Sequence, residues 1–558
     1  MRQGLRRGLG LRNKIITVAP WIAHFLDSRT LRKIGLTLHS TGIRSLDPSG
    51  KTTKSPAPCL AVFGTGSDVG KSVIATALCR VFADTGLNVA PYKAQNMSNN
   101  SGVTPEGLEM GRAQIVQAEA AGIAPHVDMN PILLKPASDV GSQVVVLGEA
   151  IGNRTAMAYH REKTILVKTA NAALDRLRSA YDLLVMEGAG SCAEVNLMDH
   201  DIANFPMAEY ADAPVILVGD IHRGGIFAQL VGSLECLPPR YRERVAGFII
   251  NRFRGDGRLF TGGVNWIEQR TGLPVFGVLP WYDHIYIDPE DSVVIERPGK
   301  VAPPSDGKPS IAVIRIPHIS NFSDFGPLAN LDGMDLHFVE TPQDLAAFAA
   351  VILPGSKNTR HDLSWLQTNG WQDRLKAYHS KGGHITGICG GYQMMGSVVH
   401  DHDGLEGPPG STRGLGLLPV ETVLQAPKTT TVIRFSWDGI NGTGYEIHMG
   451  QTRRQAGRAL LRIIERNGAA VTDDTDGCVA DNGSAMGTCL HGLFDTPTLI
   501  DHWLTFAGVD GIRVPEAAGL TAKMEQYNLL ADHFRQHVDM GRIGKLVGIR
   551  TGVQAGKG

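Results

Sequence analysis

Short, unbroken apolar runs recur along the chain, separated by longer stretches of mixed character. In the first half they fall at residues 59–63, 183–186, 215–218 and 245–250, and the stretch 164–178 between two of them reads as a helix. Continuous apolarity over so few residues predicts strands buried on both faces, as in a parallel sheet covered by helices. Further strands are expected at 311–316, 350–353 and 384–388, again with helical stretches between. From Glu296 to Pro309 the chain is rich in Pro, Gly, Lys and Asp, a composition that sustains neither strand nor helix. The pattern predicts an α/β protein with two parallel-sheet domains: a basic extension at 1–57, a first domain at 58–296, a linker at 297–309, a second domain at 310–508 and a helical tail at 509–558. Residues 405–428 read as loop-rich.

Length agrees, because 558 residues exceed what one hydrophobic core serves. A formal net charge of −1 with 42% hydrophobic and 20% charged residues is that of an ordinary soluble protein and gives no footprint for nucleic acid. No apolar run reaches the roughly 18–20 residues of a membrane span. Seven scattered cysteines without a Cys-x-x-Cys pair argue against a disulfide framework or structural zinc, so a reducing cytoplasm is expected. Residues 1–54 alone carry eleven Lys or Arg against Asp27 and Asp47. That segment reads as a disordered tail from an upstream start, a targeting peptide or a basic surface-binding arm.

Directly after the first predicted strand stand Gly64, Thr65, Gly66, Ser67, Asp68, Val69, Gly70, Lys71 and Ser72, opening a helix at 73–82. Glycines let the backbone wrap phosphates closely, the amides attract the anion, Lys71 reaches the outer phosphates and the Ser72 hydroxyl suits Mg²⁺. The run resembles a P-loop, and its longer spacing resembles that of the dethiobiotin synthetase group. A carboxylate is needed near the metal. Glu187, closing the run 182–186 at a strand's carboxyl end, is the first candidate, and Glu109, just before Gly111 and Arg112, the second.

In the second half Cys389 follows a predicted strand within Gly387-Ile388-Cys389-Gly390-Gly391. Small neighbours allow a sharp strand-to-helix turn that presents a nucleophile. The base candidate is His491, in Gly487-Thr488-Cys489-Leu490-His491-Gly492, with His448 as a further histidine of interest. Together they resemble the class I glutamine amidotransferases, in which the cysteine attacks the glutamine carboxamide and ammonia leaves; amides near Gly355 and Gly390 would then steady the oxyanion. Members with a full triad carry glutamate two residues after the histidine. Leu493 stands there, so the resemblance is to the Cys-His branch, with the group that orients His491 left open.

The run Lys93-Ala94-Gln95-Asn96-Met97-Ser98-Asn99-Asn100 is similar to a distinctive stretch of the cobyric acid synthase family, as are Asn130–Pro136, Ser142–Val146, Glu187–Ser191, Asn251–Asp256 and Leu353–Thr359. The similarity runs from about Cys59 to about Met540. It implies ATP and Mg²⁺ as cofactors, Asn251 at the nucleotide, and Lys93, Asn96, Ser98 and Lys135 at ATP or a polycarboxylate. It further implies amidation of the b, d, e and g carboxylates of adenosylcobyrinic acid a,c-diamide with glutamine as donor. Cys192, His222 and Cys489 depart from the family's usual proline, aspartate and tyrosine. The rival readings are the earlier a,c-diamide synthase, a synthetase related to CTP synthase, a regulatory P-loop switch and an inactive scaffold.

Overall fold

The computed structural model describes residues 55–138, 141–290, 307–516 and 519–549. Residues 1–54 of the expected extension and the expected linker up to residue 306 lie outside them.

The first domain is built on a six-stranded parallel sheet. Its order is Val275–Pro280, Val245–Phe253, Val215–Asp220, Cys59–Gly64, Leu183–Glu187 and Val89–Tyr92. The four apolar runs fall on four of these strands, and Leu60, Val62, Val185, Ile216 and Ile249 are wholly buried because helices cover both faces. The strand that leads into the glycine-rich loop lies in the middle of the sheet. Successive strands are laid down on one side of it and then on the other, so a crevice opens at its carboxyl end. A separate four-stranded sheet, Gln95–Met97, Ile132–Ser138, Gly141–Val146 and Glu149–Thr155, stands beside that crevice.

The second domain repeats the plan. Asp335–Val339, Ser310–Ile314, Ala350–Leu353, His384–Ile388 and Ala485–Thr488 are parallel neighbours, with Cys478–Val479 antiparallel at the edge. A five-stranded antiparallel sheet that includes Ile440–His448 and Leu490–His491 adds a layer absent from the expected pattern. The region read as loop-rich at 405–428 holds two strands, Gly410–Arg413 and Val420–Leu424. They are short and alternate in burial from one residue to the next, so the sequence carries no continuous apolar signal there.

The expected C-terminal tail is helical over Leu520–His537 and Met540–Leu546, but it is not appended to the second domain. Leu530, Ala531, Phe534, Met540 and Ile543 bury themselves in the core of the first, against the helix Lys71–Ala83 and its strands. Gly277 pairs with Val538, and a Cβ there would lie 2.3 Å from the His537 carbonyl oxygen, so only glycine permits the approach.

Candidate active sites

The loop Gly64–Gly70 turns from the central strand into the helix Lys71–Ala83. Gly70 has φ 98°, a conformation that suits glycine, and the Asn251 side chain donates from Nδ2 to the Val69 carbonyl (2.9 Å). Asn251 thus braces the loop from behind. Lys71 is buried and spans the loop, donating to the carbonyls of Gly66 (2.9 Å) and Gly190 (2.8 Å). Burial, with Lys93 nearby, pushes its pKa down. Asp68 holds Arg252 (2.9 Å) at the outer rim of the loop.

Behind Lys71, Ser72 donates to Glu187 (2.8 Å) or to Glu290 (2.7 Å). Lys93 pairs with the same two carboxylates, at 3.0 and 2.6 Å. Burial alone would lower the Lys93 pKa, but the two carboxylates outweigh it and hold it above the ordinary lysine value. Gln114 and Gln117 both donate to the second oxygen of Glu187, fixing its plane. A hydroxyl and two carboxylates form a hard oxygen donor set that fits Mg²⁺. The loop, Lys71, Ser67, Asp68, Lys93 and Asn96 line a cleft of about 1000 Å³ that extends to Ser142, Arg154, Tyr159, Asp201 and Tyr282. Ser98 supports the cleft from outside by donating to the Glu290 carbonyl (2.9 Å). Cys192 lines it, whereas His222 is exposed against Trp281.

In the second domain the sharp turn expected at Cys389 is present, with φ 49° and ψ −112° for a non-glycine residue. Such strain persists where the surroundings over-determine it. Here a Cβ on Gly391 would lie 2.0 Å from the Leu353 carbonyl oxygen, and one on Gly390 2.7 Å from the Ser356 amide nitrogen. The elbow is therefore pressed against the Leu353–Ser356 segment. His491 Nδ1 meets Asp324 Oδ2 at 2.6 Å, both groups buried. Tyr445 stacks on the imidazole with centroids 5.3 Å apart. Burial works against a charged His491, but the Asp324 carboxylate and the Cys389 sulfur outweigh it and raise its pKa to about 10. The arrangement sets a cysteine beside an imidazolium oriented by a carboxylate, the geometry a nucleophilic thiol needs. The open question of what holds His491 is answered by Asp324, on the turn Phe322–Phe325.

The two remaining candidates are elsewhere. Glu109 is not brought to Ser72; its oxygens are taken by Lys135 (2.7 Å) and by Lys428 of the second domain (2.6 Å). These lysines hold its carboxyl far below the usual range despite burial. Lys135 faces a small cavity shared with Cys389, Lys357, Gln393, Glu406, Lys428 and His448. The His448 Nδ1 atom is shut off from solvent and has no hydrogen-bond partner among the described residues.

Two family models match the chain: a CobQ/CobB/MinD/ParA nucleotide binding domain over residues 60–293 and a CobB/CobQ-like glutamine amidotransferase domain over 310–499. A curated cobyric acid synthase of Chlorobium phaeobacteroides (strain BS1) is 52% identical over 88% of this chain and 99% of its own. The chain belongs to the cobyric acid synthase family. The cobyric acid synthases of Syntrophobacter fumaroxidans and Salmonella arizonae are 48% and 45% identical, covering 88% and 86% of this chain and 98% and 96% of theirs.

In this cobyric acid synthase family member, sequence reasoning missed Asp324, Glu290 and Lys428. Each lies far along the chain from the group it contacts, and Glu290 adjoins the Pro- and Gly-rich stretch. Two outcomes follow from the glutaminase geometry. Gly391→Ala is expected to cost about 1–3 kcal/mol of stability by overpacking and to displace Cys389, measurable as a lowered denaturation midpoint with loss of glutamine hydrolysis. Because the raised pKa of His491 keeps the imidazolium charged below about 10, glutamine hydrolysis should fall as pH rises through that value. An alkaline limit near the ordinary histidine pKa of about 6.5 would contradict the ion pair.

Proposed function

We propose that the chain uses ATP to convert peripheral carboxylates of a corrinoid into carboxamides, with glutamine as the nitrogen donor. The supporting observation is that one chain carries both a phosphate loop backed by an oxygen cluster and an oriented cysteine–histidine pair. A phosphate switch has no use for the second, and a free glutaminase none for the first.

In the second domain the Cys389 thiolate adds to the glutamine carboxamide carbon, and His491 gives its proton to the departing nitrogen. Ammonia leaves, and water cleaves the thioester to release glutamate and regenerate the thiolate. In the first domain the amides of residues 66–72 and Lys71 bind the ATP phosphates. Ser72 and Glu187, with Glu290 beside them, would hold Mg²⁺, which offsets phosphate charge when bound. A substrate carboxylate oxygen attacks the γ-phosphorus, giving an acyl phosphate and ADP. Ammonia then displaces phosphate from the acyl carbon, and the proton shed by the nitrogen leaves on the phosphate. Lys93 and Asn96 in the cleft suit a polyanionic substrate. Delivery inside one molecule keeps ammonia at high effective concentration.

The resemblance carries the finer reading: amidation of the b, d, e and g side chains of adenosylcobyrinic acid a,c-diamide, in the cytoplasm. The test is to incubate the protein with ATP, Mg²⁺, glutamine and that substrate and follow product mass. Stepwise carboxyl-to-amide changes support the reading. Conversion of the undecorated corrinoid acid instead points to a diamide synthase, and ATP hydrolysis with neither corrinoid changed would overturn the substrate.

A further inference from the structure

The small cavity at Cys389 and the large nucleotide cleft are back to back. The strands Ile132–Ser138 and Gly141–Val146 separate them, and alternate side chains on a strand point to opposite faces. Lys135 faces the cavity and Gln143 meets Lys428 there (3.3 Å), while their neighbours Leu134, Pro136, Ser142 and Val144 line the cleft. The wall between the two sites is one sheet thick.

We propose that ammonia leaves Cys389 through this cavity toward the sheet, and that the lining of Lys135, Lys357 and Lys428 admits it only as the neutral molecule. This rests on the ammonia-transfer reading above. The cavity, about 30 Å³, has room for roughly two molecules the size of water, so it suits ammonia. Among the described residues its two carboxyl groups offer an ammonium ion little counter-charge. Glu109 is already paired with Lys135 and Lys428, and burial pushes the Glu406 carboxyl up to about 7 against the pull of Lys357 and of the Thr359 amide that donates to it (2.7 Å). The other titratable groups facing it are Cys389 and His448. The lysines themselves report on the surroundings. Burial drives the Lys428 pKa down to about 7 against the pull of Glu109, and burial likewise lowers that of Lys357. The same surroundings press an ammonium ion toward its neutral form.

The test compares Gln143→Glu, which adds an acceptor for ammonium beside Lys428, with the uncharged Gln143→Leu. Amide formed per glutamine hydrolysed is measured across pH in the full chain. For Gln143→Glu the ratio should fall about fivefold near pH 7, the upper scale of one partly screened charge pair, and recover as pH rises. Glutamine hydrolysis should hold, and the Leu variant should stay coupled. Full coupling in both variants would place the route elsewhere, and an equal, pH-independent loss in both would show that shape rather than charge decides. Failure of the unaltered protein to make amide from added ammonia would instead defeat the function reading itself.

Discussion

Cys389→Ala is expected to lose glutamine-dependent amide formation by about a thousandfold or more, as removal of a covalent nucleophile does, while added ammonia restores it. The two halves of this result have separate causes. Without the sulfur no thioester forms, and His491, however well oriented, has no nucleophile to pair with. The phosphate loop, Lys93 and the carboxylates at Ser72 belong to another sheet, and their contacts do not involve the elbow. Product mass with glutamine and with an ammonium salt at raised pH separates the two. Loss with both nitrogen sources would mean that the elbow holds the synthetase site together.

The second large effect is expected at a residue with no sulfur chemistry. Asp324→Asn should lower glutamine turnover by roughly 10³–10⁴, the scale seen when a carboxylate that orients a catalytic histidine is neutralised. Asparagine nearly preserves shape, so the effect isolates charge. With the carboxylate gone, burial is no longer offset at Nδ1 and the His491 pKa falls from about 10. The sign is therefore fixed: the alkaline limit of glutamine hydrolysis moves to lower pH as the imidazolium loses its carboxylate partner. A turnover drop with the limit unmoved would assign Asp324 to packing. Ammonia-driven amidation should be spared here too.

What could be read beforehand follows from locality. The strands at 59–63 and 350–353 announce themselves because a doubly covered strand is apolar throughout, and the loop Gly64–Ser72 and the elbow at Cys389 are contiguous in sequence. Asp324 gives no such signal. It lies on a 3₁₀ turn well before the nucleophile, while the family pattern directs attention to the position after the histidine, where Leu493 is buried. Glu290 was hidden by the composition of its neighbours. Glu109 misled for a physical reason: a carboxylate just ahead of a helix resembles a metal ligand, but its charge is used by lysines from two domains. The helical tail expected at 509–558 could not be assigned from sequence to the core it completes.

That last point bears on how the protein is made. The first domain's core takes in Leu530, Phe534 and Ile543, which leave the ribosome only after the whole second domain has been synthesised. The nucleotide-binding half must therefore wait, with the helix Lys71–Ala83 and the strand Val275–Pro280 incompletely covered, while the glutaminase half already has all its strands. The half encoded first is finished last, and a nascent chain released early would carry an open core into solution.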